Sequence, residues 1–329
     1  MQWSFYPLTQ FNEFRDDWHR LNITGPNTPL FDLRFVEPGI EFFSTGCEKI
    51  AACREDNITI ALAIISKRKP GSWETFQPSQ SPLGMWLHAK NYAISELLTS
   101  LQTSIPGTCL ILGITQQDPA LLTRPDQAKR LRTLNYIETA RISIDTDWDT
   151  YWSSRGKNLR HNLNKQRNRF DKSNVEIDVV EITKPDELNE AVKQYGKIES
   201  AGWKQTTGTA VSLDNAQGMF YAKLLSEFAS TGNARVFQLL LNGKVAATDL
   251  CIDDGKTFII LKTTYDEAYR SSSPALLMRK VYFEDFFKHK RFQKIEFYGK
   301  LMDWHTKWSD DIRQMYHINY LSKLMSIIK

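Results

Sequence analysis

The stretch Lys256–Tyr265, KTFIILKTTY, followed by Asp266–Pro274, DEAYRSSSP, decides how the rest of the chain is read. Its first part is rich in β-branched and aromatic side chains over a strand-like length, and the polar run after it cannot continue a ladder. A helix is expected from Pro274. Ser273 is its cap, Pro274 fits the first helical position, and Leu276, Phe283 and Phe287 fall at i, i+7 and i+11. The helix should run to about Lys290, and Gln293–Tyr298, QKIEFY, returns as a short strand closed by Gly299. The unit is therefore β-α-β with its two strands parallel. Arg270, three serines and several unpaired backbone N–H groups gather at the start of the helix, a cluster suited to phosphate or pyrophosphate.

Upstream, Arg235–Leu241, Val245–Ile252 and Thr257–Tyr265 form a three-strand meander joined by the hairpin turns Asn242-Gly243 and Asp254-Gly255. Before the meander, Val175–Ile182 reads as a strand, and Pro185–Ala201 and Ala216–Ala229 as helices. Trp148, Trp152, Leu159, Leu163 and Phe170 lie on one helical stripe, and Arg155–Arg169 holds six Lys or Arg and no acid. A single long amphipathic helix with a basic outer face is expected over 148–170. After the β-α-β unit, Leu301–Asp311 is a polar-aromatic segment and Arg313–Leu321 a last strand.

The first half is less regular. Phe11–Leu21 has helical spacing, while Phe31–Phe43 is apolar but interrupted by Pro38-Gly39 and stays mixed. Lys49–Arg54 and Ile58–Ile65 form a hairpin around Glu55-Asp56-Asn57. Lys67–Pro82 is the longest loop expected in this half, Tyr92–Ile105 a helix, and Cys109–Ile114 and Tyr136–Ile144 strands. Both halves hold a hairpin, then a helix, then a short strand. This suggests an internal duplication whose first copy, lacking a capped helix after its hairpin, has lost the phosphate site.

Composition limits what the chain does. At 329 residues two cores are the better expectation, and the change in composition near Asp145 sets the domains at 1–146 and 147–329, with 148–170 as a bridging helix. A net charge of +4 is too small for a protein whose whole surface serves nucleic acid. Cys47, Cys53, Cys109 and Cys251 sit far apart without C-x-x-C spacing, so they read as reduced thiols rather than a disulfide frame or a metal site. The opening MQWSFYPLTQFNEF has no basic or apolar leader, and no run approaches ~18 apolar residues. A cytoplasmic protein with no membrane span is expected.

The order RGKNLRHNLNKQRNRF, ESAGWK, LKTTYDEAYRSSSPALLMRK, KIEFYG and HTKW resembles the CelD-like branch of the GNAT acetyltransferases, named from a cellulose-biosynthesis protein. It is also similar to the Fem-type peptidyltransferases, which carry tandem GNAT-like domains. The likeness covers about residues 150–310. It implies two tandem GNAT-like α/β domains with mixed, mainly antiparallel sheets flanked by helices, the first degenerate and the second catalytic. It implies an N-acyltransferase that moves an acetyl or other acyl group from acetyl-CoA or another acyl-CoA to a primary amine of a sugar, amino acid or peptide, with no metal. The alternatives are a Fem-type transferase that uses aminoacyl-tRNA, and a non-catalytic GNAT-like module that grips a polyanion.

The family's turn, R/Q-x-x-G-x-G/A, reads here Arg270-Ser271-Ser272-Ser273-Pro274-Ala275, with serine in place of the first glycine. These residues are the expected diphosphate cradle, and a capped helix with a solvated serine loop is the plainer reading. Amine acylation needs a base, an oxyanion donor and an acid for the leaving thiolate. Asp249, on a strand face with Val245, Ala247 and Cys251, needs either a partner or a role, and Lys262 on the next strand is its expected diagonal neighbour. Tyr265 and Asp266 end the strand beside the turn, where Tyr265 can protonate a thiolate or simply cap the sheet edge. His305, in the patch Asp303-Trp304-His305 with Lys307, is a candidate base because an imidazole titrates near working pH, or else a surface residue. Glu199, Trp203 and Lys204 match the family's E-x-x-x-W-K segment and line an acceptor pocket, or else pack a helix end. Arg160, on the basic helix, is a candidate contact for an acidic acceptor, a coenzyme A phosphate or a tRNA backbone, against a solvated face that bridges two domains.

Overall fold

The computed structural model describes residues 1–201 and 211–327. The chain divides into two compact units, residues 1–138 with 313–329, and residues 139–312. The first contains β1 (Gln2–Pro7), α1 (Arg15–Thr24), α2 (Leu33–Phe43), β2 (Lys49–Glu55), β3 (Ile58–Lys69), β4 (Gly71–Thr75), β5 (Trp86–His88), α3 (Ile94–Ser104) and β6 (Cys109–Gln117). The chain then passes through β7 (Leu131–Ser143) into the second unit. That unit holds α4 (Trp148–Ser154), α5 (Lys157–Lys172), β8 (Ile177–Ile182), α6 (Pro185–Ala201), α7 (Ala216–Ala229), β9 (Ala234–Leu241), β10 (Lys244–Asp253), β11 (Thr257–Tyr265), α8 (Pro274–His289), β12 (Lys294–Glu296) and α9 (Asp303–Thr306). The last strand, β13 (Asp311–Leu321), leads back to the first unit.

Each unit follows the same pairing scheme. In the second, β8, β9, β10 and β11 are successive antiparallel neighbours, β12 lies parallel to β11, and the end of β7 closes the run antiparallel to β12. In the first, β1, β2, β3 and β4 are antiparallel neighbours, β6 lies parallel to β4, and β13 pairs antiparallel with β6. A pair of helices separates the first two strands of each unit, and one helix crosses over to the parallel strand. A parallel neighbour cannot be reached by a tight turn, which is why a helix sits at that point of both copies. The duplication expected from the hairpins is thus present in the connectivity.

Each unit has its own core. In the second, α8 packs Tyr282 and Phe286 against Phe237 on β9 and Phe258 on β11, with Phe237 and Tyr282 stacked at 4.1 Å, while Phe283 meets Trp308 and Phe287 meets Tyr151. In the first, Leu97, Leu98 and Leu101 of α3 share one core with Ala61, Ala63 and Ile65 of β3. Burying each such side chain contributes about 1.5–3 kcal/mol.

Several local expectations change. The helix expected over 148–170 is two helices, because Arg155 (ψ 153°) and Gly156 (ψ 134°) are extended between α4 and α5. The apolar stripe has the same periodicity on either side and so cannot report the break. Part of the Lys67–Pro82 loop is strand, since β3 continues to Lys69 and β4 pairs back onto it. Phe31–Phe43 resolves into a short 3₁₀ turn and α2, whose Asp32 side chain accepts from Arg34 N and which carries Pro38 and Gly39 buried in its interior. Burial of that face outweighs the helix-breaking tendency of Pro38. Ser273 precedes Pro274 as expected, yet its side chain caps nothing. It is in the left-handed conformation, φ 52° and ψ 53°.

Candidate active site

β11 ends at Tyr265, and Asp266 then starts a 3₁₀ turn, Glu267–Ser272, by accepting from Ala268 N at 2.9 Å. Ser273 turns the chain through left-handed space into α8. This is the position where the resembled family has glycine, the residue that enters that conformation without steric cost. Around this corner lies a cavity of about 210 Å³. Thr263 and Tyr265 from the strand, Arg270 and Ser273–Leu276 from the corner, Arg279 from α8 and Trp304 from α9 form its walls. Four expected site residues, Tyr265, Arg270, Ser273 and Ala275, therefore meet at one cavity. Ser271 is exposed and its carbonyl accepts from Gln166 of α5 at 3.0 Å, while Ser272 is buried, so neither lines it.

Thr263 and Arg279 belong to a largely buried polar cluster that reaches from this wall to Asp249. Asp249 is 0% exposed, and Arg279 grips it with two hydrogen bonds, Nε to Oδ2 at 2.9 Å and NH2 to Oδ1 at 2.8 Å. Tyr282 donates to Asp249 Oδ2 at 2.7 Å, and Arg279 also donates to Thr263 Oγ1 at 2.6 Å. Burial, and then the charge of Asp249, push the Tyr282 hydroxyl well above an ordinary phenol, so it remains a donor. The Arg279 guanidinium in turn lies 4.2 Å from the ring centre of Trp304, a cation–π contact that links the buried pair to the cavity wall.

This cluster corrects the pairing expected for Asp249. Thr263 lies directly opposite Asp249 in the ladder, and Lys262 lies opposite Leu250. Successive strand residues alternate faces, so Lys262 projects away from Asp249. Its ammonium is 3.9 Å from Glu199 Oε1 on α6, beside Tyr221. Glu199 is buried, accepting from Val211 N at 2.8 Å and from the Tyr195 hydroxyl at 3.3 Å. Glu199 and Lys262 thus belong to the α6 side of the sheet, while Asp249, Thr263 and Arg279 belong to the α8 side. Trp203 and Lys204 lie outside the described residues.

His305 is also unlike its expectation. It is 3% exposed, its Nδ1 accepts from Met302 N at 2.9 Å, and its ring stacks 3.5 Å from that of Trp304. Burial, helped by the charge of Arg279, lowers its pKa to about 4, so it is neutral at working pH. Its geometry is that of a residue that caps α9 and backs Trp304. Lys307 is exposed. Arg160 donates through Nε to Arg155 O at 3.1 Å, and Arg155 pairs with Asp310 at 2.8 Å.

Sequence reasoning did not select Arg279, Thr263 or Tyr282. A signal was present for the first: Arg279 falls at i+3 from Leu276, a cation inside the stripe that continues to Phe283 and Phe287. A second polar feature is the outer face of α5, where His161, Lys165, Asn168, Arg169 and Lys172 line a broad groove. Among the described residues Lys157, Lys165, Arg167, Arg169 and Lys172 form no ion pair. Among the described residues no helix is long and apolar enough to cross a membrane, and no group of three His, Cys, Asp or Glu is placed to hold a metal.

Comparison with known proteins bears on both units. The model of the acetyltransferase (GNAT) domain matches residues 157–306. No curated protein matches this sequence. Among solved structures the chain is similar to FemX, at 10% identity and a TM-score of 0.61 over 99% of this chain and 98% of that one. It is similar to a C-terminal domain described as that of a lysylphosphatidylglycerol synthetase from Agrobacterium fabrum, at 13% identity and a TM-score of 0.56 over 97% and 95%. A conserved protein of unknown function from Bacteroides thetaiotaomicron gives 12% identity and a TM-score of 0.56 over 98% and 100%. With the repeated strand order, these likenesses identify the chain's fold as mixed α/β and GNAT-like in two copies, the second of which carries the match to an acyltransferase domain.

Proposed function

We propose that the protein is an N-acyltransferase whose second unit takes an acyl group from acetyl-CoA or a similar acyl-CoA and passes it to a primary amine of a sugar, amino acid or peptide. The observation that carries this reading is the cavity at the β11–α8 corner, in which a cation, a left-handed turn and the start of a helix meet at one place. These residues fit a diphosphate. Arg270 is exposed at the corner, Pro274 has no N–H, and Ser273 N, Leu276 N and Leu277 N bond within the corner, which leaves the Ala275 N–H at the positive end of α8 to meet a ligand in this space. Acyl-CoA supplies an activated thioester carbonyl when bound. Arg270 and the Ala275 N–H would hold its diphosphate, and Trp304, stacked on Arg279, would give the acyl end a flat wall. Tyr265, 36% exposed, lines the same cavity and offers its hydroxyl to a leaving thiolate. Asp249 holds Arg279 in place and is not free to act as base. Asp266 is occupied in its turn.

Calorimetry with acetyl-CoA tests the reading. The wild type is expected to bind, and Arg270→Ala to weaken binding about tenfold through loss of a charge-assisted contact. Absence of heat with the wild type, or equal affinity in the variant, overturns it. One observation favours a second reading, a transferase that draws on aminoacyl-tRNA: Lys165, Arg169 and Lys172 of α5, without ion pairs among the described residues, suit a phosphodiester backbone. Saturable binding of charged tRNA together with no binding of acetyl-CoA decides for it.

A further inference from the structure

The fourth sheet position of the first unit is filled by two strands in line. β4 pairs antiparallel with β3 through Ile65–Lys69, and β5 pairs antiparallel with β3 through Ala61–Ala63. Residues 76–85 leave the ladder between them. β5 then runs through Ala89–Ala93 into α3, and α3 returns as β6, which is parallel to β4. This is the connectivity of β11, α8 and β12 in the second unit. The corner where β5 meets α3 also holds a cavity, larger than its counterpart at about 350 Å³.

The two cavities differ in chemistry. The turn Ala89–Ala93, AKNYA, has neither arginine nor serine, Ala93 gives α3 no side-chain cap, and Glu96 sits in the first turn of α3. A doubly charged phosphate has little to hold it there. The larger part of the wall is instead apolar, built by Phe31, Leu83, Trp86, Leu87, Ile94 and Leu122, with the neutral polar side chains of Gln117 and Thr123 beside them. Two polar groups can receive a single negative charge. Lys90 lines the cavity, is exposed at its rim and forms no ion pair among the described residues. His88 accepts from Trp86 Nε1 through Nδ1 at 3.0 Å, which leaves its proton on Nε2 as a donor. The one carboxylate in the wall, Asp118, is 1% exposed and matched by Arg313, whose Nε lies 2.9 and 3.0 Å and NH2 2.7 Å from its oxygens.

We propose that the first unit, in the place corresponding to the acyltransferase corner of the second, binds a small apolar carboxylate of roughly ten to fifteen heavy atoms. Its body lies against Trp86, Leu87 and Ile94, and its carboxylate faces Lys90 and His88. The copy has exchanged a phosphate seat for an apolar acid seat. The site has one cation for one charge, placed at the exposed rim of a cavity with a mainly apolar body.

Calorimetry on the full chain with octanoate and, as a charge control, octylamine tests this. Octanoate is expected to bind at one saturable site, with octylamine weaker by about tenfold or more. Lys90→Ala should weaken octanoate about three- to fivefold, since the ammonium is partly hydrated. Leu121→Trp, at a half-buried wall position, should fill the cavity and abolish binding, with circular dichroism and the melting temperature confirming its fold. Arg270→Ala should leave octanoate binding unchanged, which separates this site from the proposed acyl-CoA site. The proposal is overturned if octanoate does not bind, if octylamine binds equally, or if binding persists unaltered in both Leu121→Trp and Lys90→Glu.

Discussion

A buried aspartate is informative only through its neighbours. Asp249 invites a catalytic reading because an ionised carboxylate inside a sheet needs compensation. The compensation is complete: three hydrogen bonds from Arg279 and Tyr282 reach its two oxygens. Asp249→Ala would leave the Arg279 cation, 2% exposed, without its partner, and the expected loss is about 3–5 kcal/mol of stability by urea unfolding. A loss below ~1 kcal/mol would show that Arg279 finds water or another acceptor. Ser273 makes the opposite prediction. A serine at φ 52° bears the steric cost of left-handed backbone, and Ser273→Gly should raise stability by roughly 0.5–1 kcal/mol in the same assay, net of the extra freedom of glycine when unfolded. The need of Asp249 for a partner was legible in the sequence. The identity of the partner was not, because Arg279 lies thirty positions away and reaches it only when α8 lies across β10 and β11.

At the scale of elements, helices and strands were read closely wherever local pattern and burial agree. α6 and α7 have the bounds expected, and the meander and its hairpins stand where Asn242-Gly243 and Asp254-Gly255 put them. The readings diverge where a contact remote in sequence decides, as in the break before α5 and the strand β4. How α6 and α7 are held is also a matter of contact. A Cβ on Gly218 would come 1.9 Å from Ser212 O, and one on Gly196 would come 2.3 Å from Val211 O. The two glycines let both helices lie directly on the backbone at 211–212, which also presents Val211 N to Glu199. Gly218→Ala should therefore cost about 1–3 kcal/mol by overpacking, despite the better helix propensity of alanine. A stabilised variant in thermal unfolding would refute this close approach.

For the whole molecule, titration offers a test that reaches both units. Burial lowers His88 in the first unit and His305 in the second to about 4, and it lowers His317 as well. The unfolded histidines titrate near 6.5, so between pH 6.5 and 4 the unfolded chain binds more protons than the folded one. Stability is therefore complete above pH 6.5 and falls as pH drops toward 4, by on the order of 3 kcal/mol for the closely buried His305. Unfolding midpoints measured from pH 7.5 to 4.5 should show this slope. His305→Asn, which can still accept from Met302 N, should flatten part of it. A level profile in the wild type would show that these imidazoles are hydrated.

The sequence by itself determined the class of fold, the meander and crossover helix of the second unit, the corner at Arg270–Ala275 and the presence of a duplication. The elements among these are written in short-range periodicity and turn chemistry, which act over a few residues, and the fold class and duplication in the order in which those elements recur. Only the tertiary structure decided which polar groups meet. It paired Asp249 with Arg279 and Lys262 with Glu199, and it neutralised His305 beneath Trp304. It also returned β13 to the first unit and opened a second cavity at the corner of β5 and α3. The reason is physical. Burial and strand register set the faces on which side chains emerge, and a one-residue difference in pairing sends a lysine to one side of a sheet and a threonine to the other.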